Sequence, residues 1–97
     1  MLDQKTTREI KKIVFHYLDP KRDKIFIFGS RAIGEHRKFS DIDLGIESKR
    51  KIPALIIEDL KEALEESDIP FTIDVVNFTE VSSRFRSVAK QKIIYLN

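Results

Sequence analysis

Residues 24–28, Lys-Ile-Phe-Ile-Phe, constrain the fold more than any other segment. In an extended strand Ile25 and Ile27 point to one face, and Phe26 and Phe28 to the other. A strand apolar on both faces needs a sheet that is covered on both sides. The chain must therefore find further strands and covering helices within 97 residues. That length suits one core, so residues 1–97 are expected to form a single domain.

The remaining segments alternate in kind. Residues 6–18 predict an amphipathic helix, because Ile10, Ile13, Val14, Tyr17 and Leu18 recur at spacings of three and four. Thr6 or Thr7 is the expected N-cap, and Pro20 stops the pattern. Residues 30–35 follow Gly29 and predict a short helix closed by Gly34. Residues 41–47 alternate strictly as a second strand: Ile42, Leu44 and Ile46 face one side, and Asp41, Asp43 and Gly45 the other. Pro53 suits the first turn of the next helix, whose apolar stripe is read as Ile52, Leu55, Ile56, Leu60, Ala63 and Leu64. Residues 71–78 predict a third strand with Asp74 at its centre. Residues 80–96 predict a last helix, with Val81, Phe85, Val88 and Ala89 toward the core and an apolar tail at residues 93–96. The expected order is α-β-α-β-α-β-α, an α/β (α+β) sheet covered by helices.

Composition narrows the function classes. No cysteine is present, which excludes disulfides, thiolate zinc sites and thiol nucleophiles. Only His16 and His36 offer imidazole, so a multi-histidine metal site is not expected. Apolar runs are too short to span a membrane, no start resembles a signal peptide, and a cytoplasmic location is expected. The net charge of +2 divides into +4 for residues 1–50 and −2 for residues 51–97. Glu58, Asp59, Glu62, Glu65, Glu66 and Asp68 form an acidic stretch, and Arg84, Arg86, Lys90 and Lys92 a basic one. Both read as solvated helix faces. Acids interrupt the basic residues, so direct nucleic-acid binding is not expected.

Three carboxylates stand out from their neighbours. Asp41 and Asp43 are two apart on a strand and share a face, with α-carbons about 6.5–7 Å apart. Such a pair can converge on a hard divalent cation. Asp74 sits in Thr-Ile-Asp-Val-Val, where an acid is costly unless paired or metal-bound. If its strand lies beside residues 41–47, Asp74 completes a cluster of three. Upstream, Gly29-Ser30 ends a buried strand, where glycine lets a phosphate approach the backbone. Ser30 adds a hydroxyl and Arg31 a charge. A phosphate cradle before a carboxylate pair suits a nucleoside triphosphate with Mg²⁺. Each feature alone is common in unrelated strands and turns; their co-occurrence in this order is not.

The set Phe28-Gly29-Ser30-Arg31-Ala32, Ser40-Asp41-Ile42-Asp43-Leu44 and Ile73-Asp74-Val75 resembles the nucleotidyltransferase superfamily related to DNA polymerase beta. A chain this short is similar within it to the minimal nucleotidyltransferases of bacteria and archaea. The resemblance implies the nucleotidyltransferase fold with a small mixed β-sheet. It also implies that Gly29, Ser30 and Arg31 bind the triphosphate and that Asp41, Asp43 and Asp74 bind one or two Mg²⁺ ions and carry catalysis. Members of the subgroup are commonly paired with a HEPN-domain toxin (higher eukaryotes and prokaryotes nucleotide-binding). The implied activity is transfer of AMP from ATP to a hydroxyl, a tyrosine of that toxin, in the manner of a type VII-like antitoxin. The alternative is an antitoxin that neutralises its partner by stoichiometric binding. Homo- or hetero-oligomers are compatible with either. Ile33 stands where the subgroup often has a second arginine, which removes one phosphate contact unless Arg37 or Lys38 supplies it. His36 lies near the expected phosphates, His16 reads as a surface residue, and Tyr17 and Tyr95 read as packing residues. The tail at residues 93–96 is read either as core or as a partner-binding surface.

Overall fold

A computed structural model of the protein describes residues 3–29, 41–80, 83, 86–87 and 92–97. The elements are α1 (Gln4–Val14), β1 (Asp23–Phe28), β2 (Ile42–Ser48), α2 (Ala54–Glu65), β3 (Ile73–Asn77) and β4 (Ile94–Tyr95). Ser83, Arg86 and Ser87 are also helical. The expected helix at residues 30–35, and Val81, Phe85, Val88 and Ala89, lie outside the described residues.

The four strands form one mixed sheet in the order β3-β2-β1-β4. β1 runs antiparallel to both β2 and β4, and β2 runs parallel to β3. A parallel pair needs a crossover, and α2 lies between β2 and β3 in the chain as that connection. The result is the helix-covered mixed sheet expected from the sequence.

Period-two alternation sorts the sheet into two faces. On one, Ile25, Ile27, Ile42, Leu44, Ile46 and Val75 pack with Ile10 and Val14 of α1 and with Ile57, Leu60 and Leu64 of α2. On the other, Phe26, Phe28 and Phe78 form a separate aromatic cluster joined by Val76 and Ile93. The Phe26–Phe78 and Phe28–Phe78 rings meet edge to face, with centroids 4.9 and 5.1 Å apart. Such contacts favour aromatic packing beyond the area they bury. Of β1, only Lys24 is exposed, so the reading of a strand buried on both faces holds.

Several element limits differ from the sequence reading, each for a local reason. Asp3, not Thr6 or Thr7, caps α1: its side chain accepts from the Thr6 N–H at 2.7 Å. Hydrogen bonds from Thr6 hold the Asp3 carboxyl below its ordinary value. Thr6 itself is buried inside the first turn. α1 ends at Val14, although Leu18 still reaches the core. Pro53 is the N-cap of α2, one place before the first turn. Leu55 is 77% exposed, whereas Ile57 is buried. Ile57, Leu60 and Leu64 define the buried side, and a residue two places from Ile57 lies about 200° around the helix. The tail is not helical: Ile94 and Tyr95 pair with Ile27 and Phe26 as β4. Tyr95 is 48% exposed, and its ring meets that of Phe26 edge to face with centroids 5.6 Å apart. His16 is exposed and Tyr17 is partly buried, as expected.

The end of the sheet opposite the carboxylates is tied by a buried acid. Asp23 is fully buried. Its carboxylate accepts from Ser48 Oγ at 2.6 Å, from the Asp19 N–H at 2.9 Å and from Arg50 at 3.2 Å. Arg22 lies 3.8 Å away. Asn97 donates to the carbonyls of Asp23 and Pro20 and accepts from the Ile25 N–H. Burial alone would push the Asp23 carboxyl up, but the bonds from Ser48, Asp19 and Arg50 outweigh it and hold it below its ordinary value. A depressed acid stabilises the fold above its unfolded pKa and loses that contribution as pH falls through the folded pKa. Stability is therefore expected to be steady above about pH 5 and to fall progressively below the ordinary carboxylate range near 3.8. Asp23→Asn should lower stability at pH 7 by about 3 kcal/mol or more and flatten that acid slope, because it strands the Arg50 guanidinium. Urea unfolding at pH 7 and pH 3 measures both; an unchanged slope in the variant would remove Asp23 as its source.

Candidate active site

β1 leads toward the site and β2 leads away from it. Phe28, the last residue of β1, is paired with Asp43 near the start of β2. Gly29 follows with φ of +73°, a left-handed conformation that side chains rarely adopt. A Cβ at this position would fall well inside van der Waals contact of Asp43 Oδ2. Glycine is thus required twice, by the backbone angle and by the carboxylate that the backbone approaches.

On the other side of β2, Asp43 is the register partner of Asp74. Register partners in adjacent strands share a face. Asp43 and Asp74 therefore project together on the face away from α1 and α2, with Asp41 two residues back on the same side. Asp43 is half-buried, while Asp41 and Asp74 are exposed. Burial first, then the Asp74 charge, then the Asp41 charge push the Asp43 carboxyl above its ordinary value. The three acids thus share one face and one electrostatic field. Among the described residues, no group of three or more His, Asp or Glu is drawn closely enough to hold a metal ion.

Asp74 corrects one expectation. Its apolar neighbours suggested a buried acid, but β3 is an edge strand and Asp74 is exposed. No pairing partner is needed to keep its charge in water. Ser30, Arg31, Ile33, His36, Arg37 and Lys38 lie outside the described residues. Residues 64–75 contribute a feature that sequence reasoning missed. A groove of about 610 Å³ beside Asp74 is lined by Lys61, Leu64, Glu65, Phe71, Ile73 and Val75, among others. Glu65 belongs to the stretch read as a solvated helix face. Nothing local in the sequence shows that this face borders the third carboxylate.

The arrangement brings a glycine turn and two carboxylates to one sheet end, with a third carboxylate at an open edge. Comparison with known proteins agrees with that geometry. The chain is 35% identical over 72 residues to the "Probable protein adenylyltransferase MntA" of Haemophilus influenzae. That match covers 74% of this chain and 63% of the relative, so the chain spans less than two thirds of the curated relative's length. Among solved structures, a toxin–antitoxin with AMP-PNP superposes with a TM-score of 0.76 at 22% identity, covering 94% of this chain and 72% of that one. A tri-AMPylated HEPN toxin of Shewanella oneidensis in complex with its MNT antitoxin gives a TM-score of 0.73 at 20% identity, covering 99% and 72%. At these identities the two structures establish a shared fold. The family described as "Polymerase beta, Nucleotidyltransferase" matches residues 8–97. With that match over residues 8–97, the chain belongs to the polymerase beta nucleotidyltransferase family.

Proposed function

We propose that this protein is a Mg²⁺-dependent protein adenylyltransferase that transfers AMP from ATP to a tyrosine hydroxyl of a HEPN-domain toxin, and so acts as an antitoxin. One observation carries the reading: Gly29 lies against the Asp43 carboxylate, and Asp43 is in register with Asp74. In this reading Gly29 would serve the phosphate cradle, Asp43 would bind the metal and Asp74 would stand on the acceptor side. The name of the curated relative and the AMPylated toxin of the fold neighbour support the choice of AMP and of a protein acceptor.

Nucleotidyltransferases of this family generally use a divalent metal. Hard oxygen donors carrying excess negative charge on one face fit such an ion, and Asp41, Asp43 and Asp74 would hold it. When bound, Mg²⁺ offsets the charge of the triphosphate and of the carboxylates. Gly29 and Ser30 hold the triphosphate through backbone N–H groups and a hydroxyl, and Arg31 adds a cation. The acceptor oxygen forms a bond to the α-phosphorus, the α–β bridging bond breaks, and pyrophosphate leaves. Asp74, exposed on the open side, takes the hydroxyl proton.

The test is incubation with ATP labelled at the α-phosphate, Mg²⁺ and the HEPN-domain protein of the same organism. Label is expected on the partner and absent with an Asp41→Ala/Asp43→Ala variant. No label from the unaltered protein, or equal label from the variant, sinks the proposal. Full neutralisation of the toxin by the variant would favour the stoichiometric antitoxin instead.

A further inference from the structure

The hydrogen-bond parity of β3 assigns two kinds of residue along this strand. The Ile42 N–H donates to the Thr72 carbonyl at 2.8 Å, and the Phe78 N–H donates to the Ile46 carbonyl at 2.8 Å. Bonding residues alternate in a parallel ladder, so even-numbered positions of this segment face β2. Ile73 and Val75 therefore turn their N–H and C=O groups outward. β3 is the sheet edge, and no described residue pairs with those four groups. An unpaired edge of this kind is a template for another strand. Native edges are usually blunted by a charge, and here the charge is Asp74, at the site itself.

A groove follows the whole edge. The 610 Å³ cavity beside residues 69–75 adjoins a second one of about 350 Å³ beside residues 75–77, and the two share Lys61 and Val75. α2 forms the far wall of both. A trough that runs the length of a strand fits an extended chain better than a compact ligand. Among the described residues, Glu58, Glu65, Asp74 and Glu80 line it against a single cation, Lys61.

We propose that an extended, basic segment of the protein acceptor docks as a fifth strand on the open edge of β3 and thereby presents its hydroxyl to Asp74. This rests on the transferase reading above. The strand order supports the side of approach: β1 lies on one flank of the β2 carboxylates and β3 on the other, so of the two sheet edges the β3 edge is one strand from β2 and the β4 edge two. An added strand would lie about 4.8 Å away, with the Cβ opposite Asp74 about 4.5–5.5 Å from its own. Side chains opposite each other share a face, so every second residue of the segment projects beside the carboxylates. The excess of acids over Lys61 selects a basic segment.

Amide-resolved hydrogen exchange by NMR tests the docking, with the HEPN-domain protein of the same organism as the probe. The Ile73 and Val75 amides should exchange about tenfold or more slowly in the complex than in the free protein. Glu58→Lys/Glu65→Lys alters two exposed helix residues and should weaken the complex by about tenfold or more. Protection without any AMP transfer would uphold the docking and overturn the transferase reading. A complex that leaves both amides at their free rates, or that ignores the charge reversal, overturns the docking alone. No complex overturns the docking, and the labelled-ATP assay alone decides the transferase reading. Equal protection in the absence of the partner, with sedimentation as a dimer, would assign the edge to a second copy of this chain and also overturn the proposal.

Discussion

Asp43→Asn is expected to abolish AMP transfer while leaving the protein as stable as before or more so. Asn keeps the shape of the side chain but removes the charge that would bind Mg²⁺. Losing several kcal/mol of charge stabilisation corresponds to a fall of about 10³-fold or more in rate. The stability effect has the opposite sign. Burial and the Asp74 and Asp41 charges raise the Asp43 pKa in the folded chain. A carboxyl with a raised folded pKa binds its proton more tightly in the native state, so its ionisation destabilises the fold at every pH above that value. At pH 7 the cost is fully expressed, and the neutral amide removes it. A relief of about half a kcal/mol would raise the melting temperature by roughly 2–4 °C in a domain of this size. Calorimetry in EDTA, paired with the labelled-ATP assay, reads both effects. A stabilised and inactive variant is the signature of an acid kept for chemistry at the expense of the fold. Retained transfer would exclude Asp43 from the machinery, and a lowered melting temperature would show that its charge supports the fold.

Gly45→Ala should be the most damaging single methyl in the described protein. Gly45 is buried in β2, opposite Phe26. An added Cβ would overlap Cε2 and Cζ of the Phe26 ring and lie 2.9 Å from Cε1 of Phe78. Neither ring can step aside cheaply, because both are fully buried and packed edge to face. The backbone cannot retreat either, since β2 is hydrogen-bonded on one side to β1 and on the other to β3. Overpacking at such a site costs about 3 kcal/mol, which lowers the melting temperature by roughly 12–20 °C. The partner variant makes the cause specific. Phe26→Leu removes the ring that the methyl meets, so the double variant should recover about 1–2 kcal/mol relative to the sum of the two single changes. Strict additivity would place the cost of Gly45→Ala elsewhere.

Where local pattern sufficed, the sequence was legible. The alternation of Ile42, Leu44 and Ile46 with Asp41, Asp43 and Gly45 gave β2 and its two faces, because side-chain direction in a strand follows from residue parity alone. The both-faced apolar run at residues 25–28 gave β1 and its need for two covering layers. Gly29 was singled out for phosphate access, and the structure adds a second reason for it, the Asp43 carboxylate. Misreadings arose where a residue's surroundings come from distant chain. Ile93-Ile94-Tyr95-Leu96 suits a helix end or a strand equally well by composition. It became β4 because β1 offered a free edge and Asn97 could bond across to Pro20, Asp23 and Ile25. Leu55 joined the apolar stripe on hydrophobicity, yet α2 buries the face of Ile57, Leu60 and Leu64 instead.

Asp74 divides the two sources of information most clearly. The sequence alone determined that an acid stands among Ile73, Val75 and Val76, and that Asp41 and Asp43 share a face. Whether the third acid joins them depends on which strands become neighbours and in what register, and strand pairing is a contact between distant residues that no local periodicity encodes. The tertiary structure decided it by placing β3 beside β2 with Asp43 opposite Asp74, and by making β3 the edge. The same placement put Asp74 in water, not in the core, and left the Ile73 and Val75 backbone groups facing outward beside it.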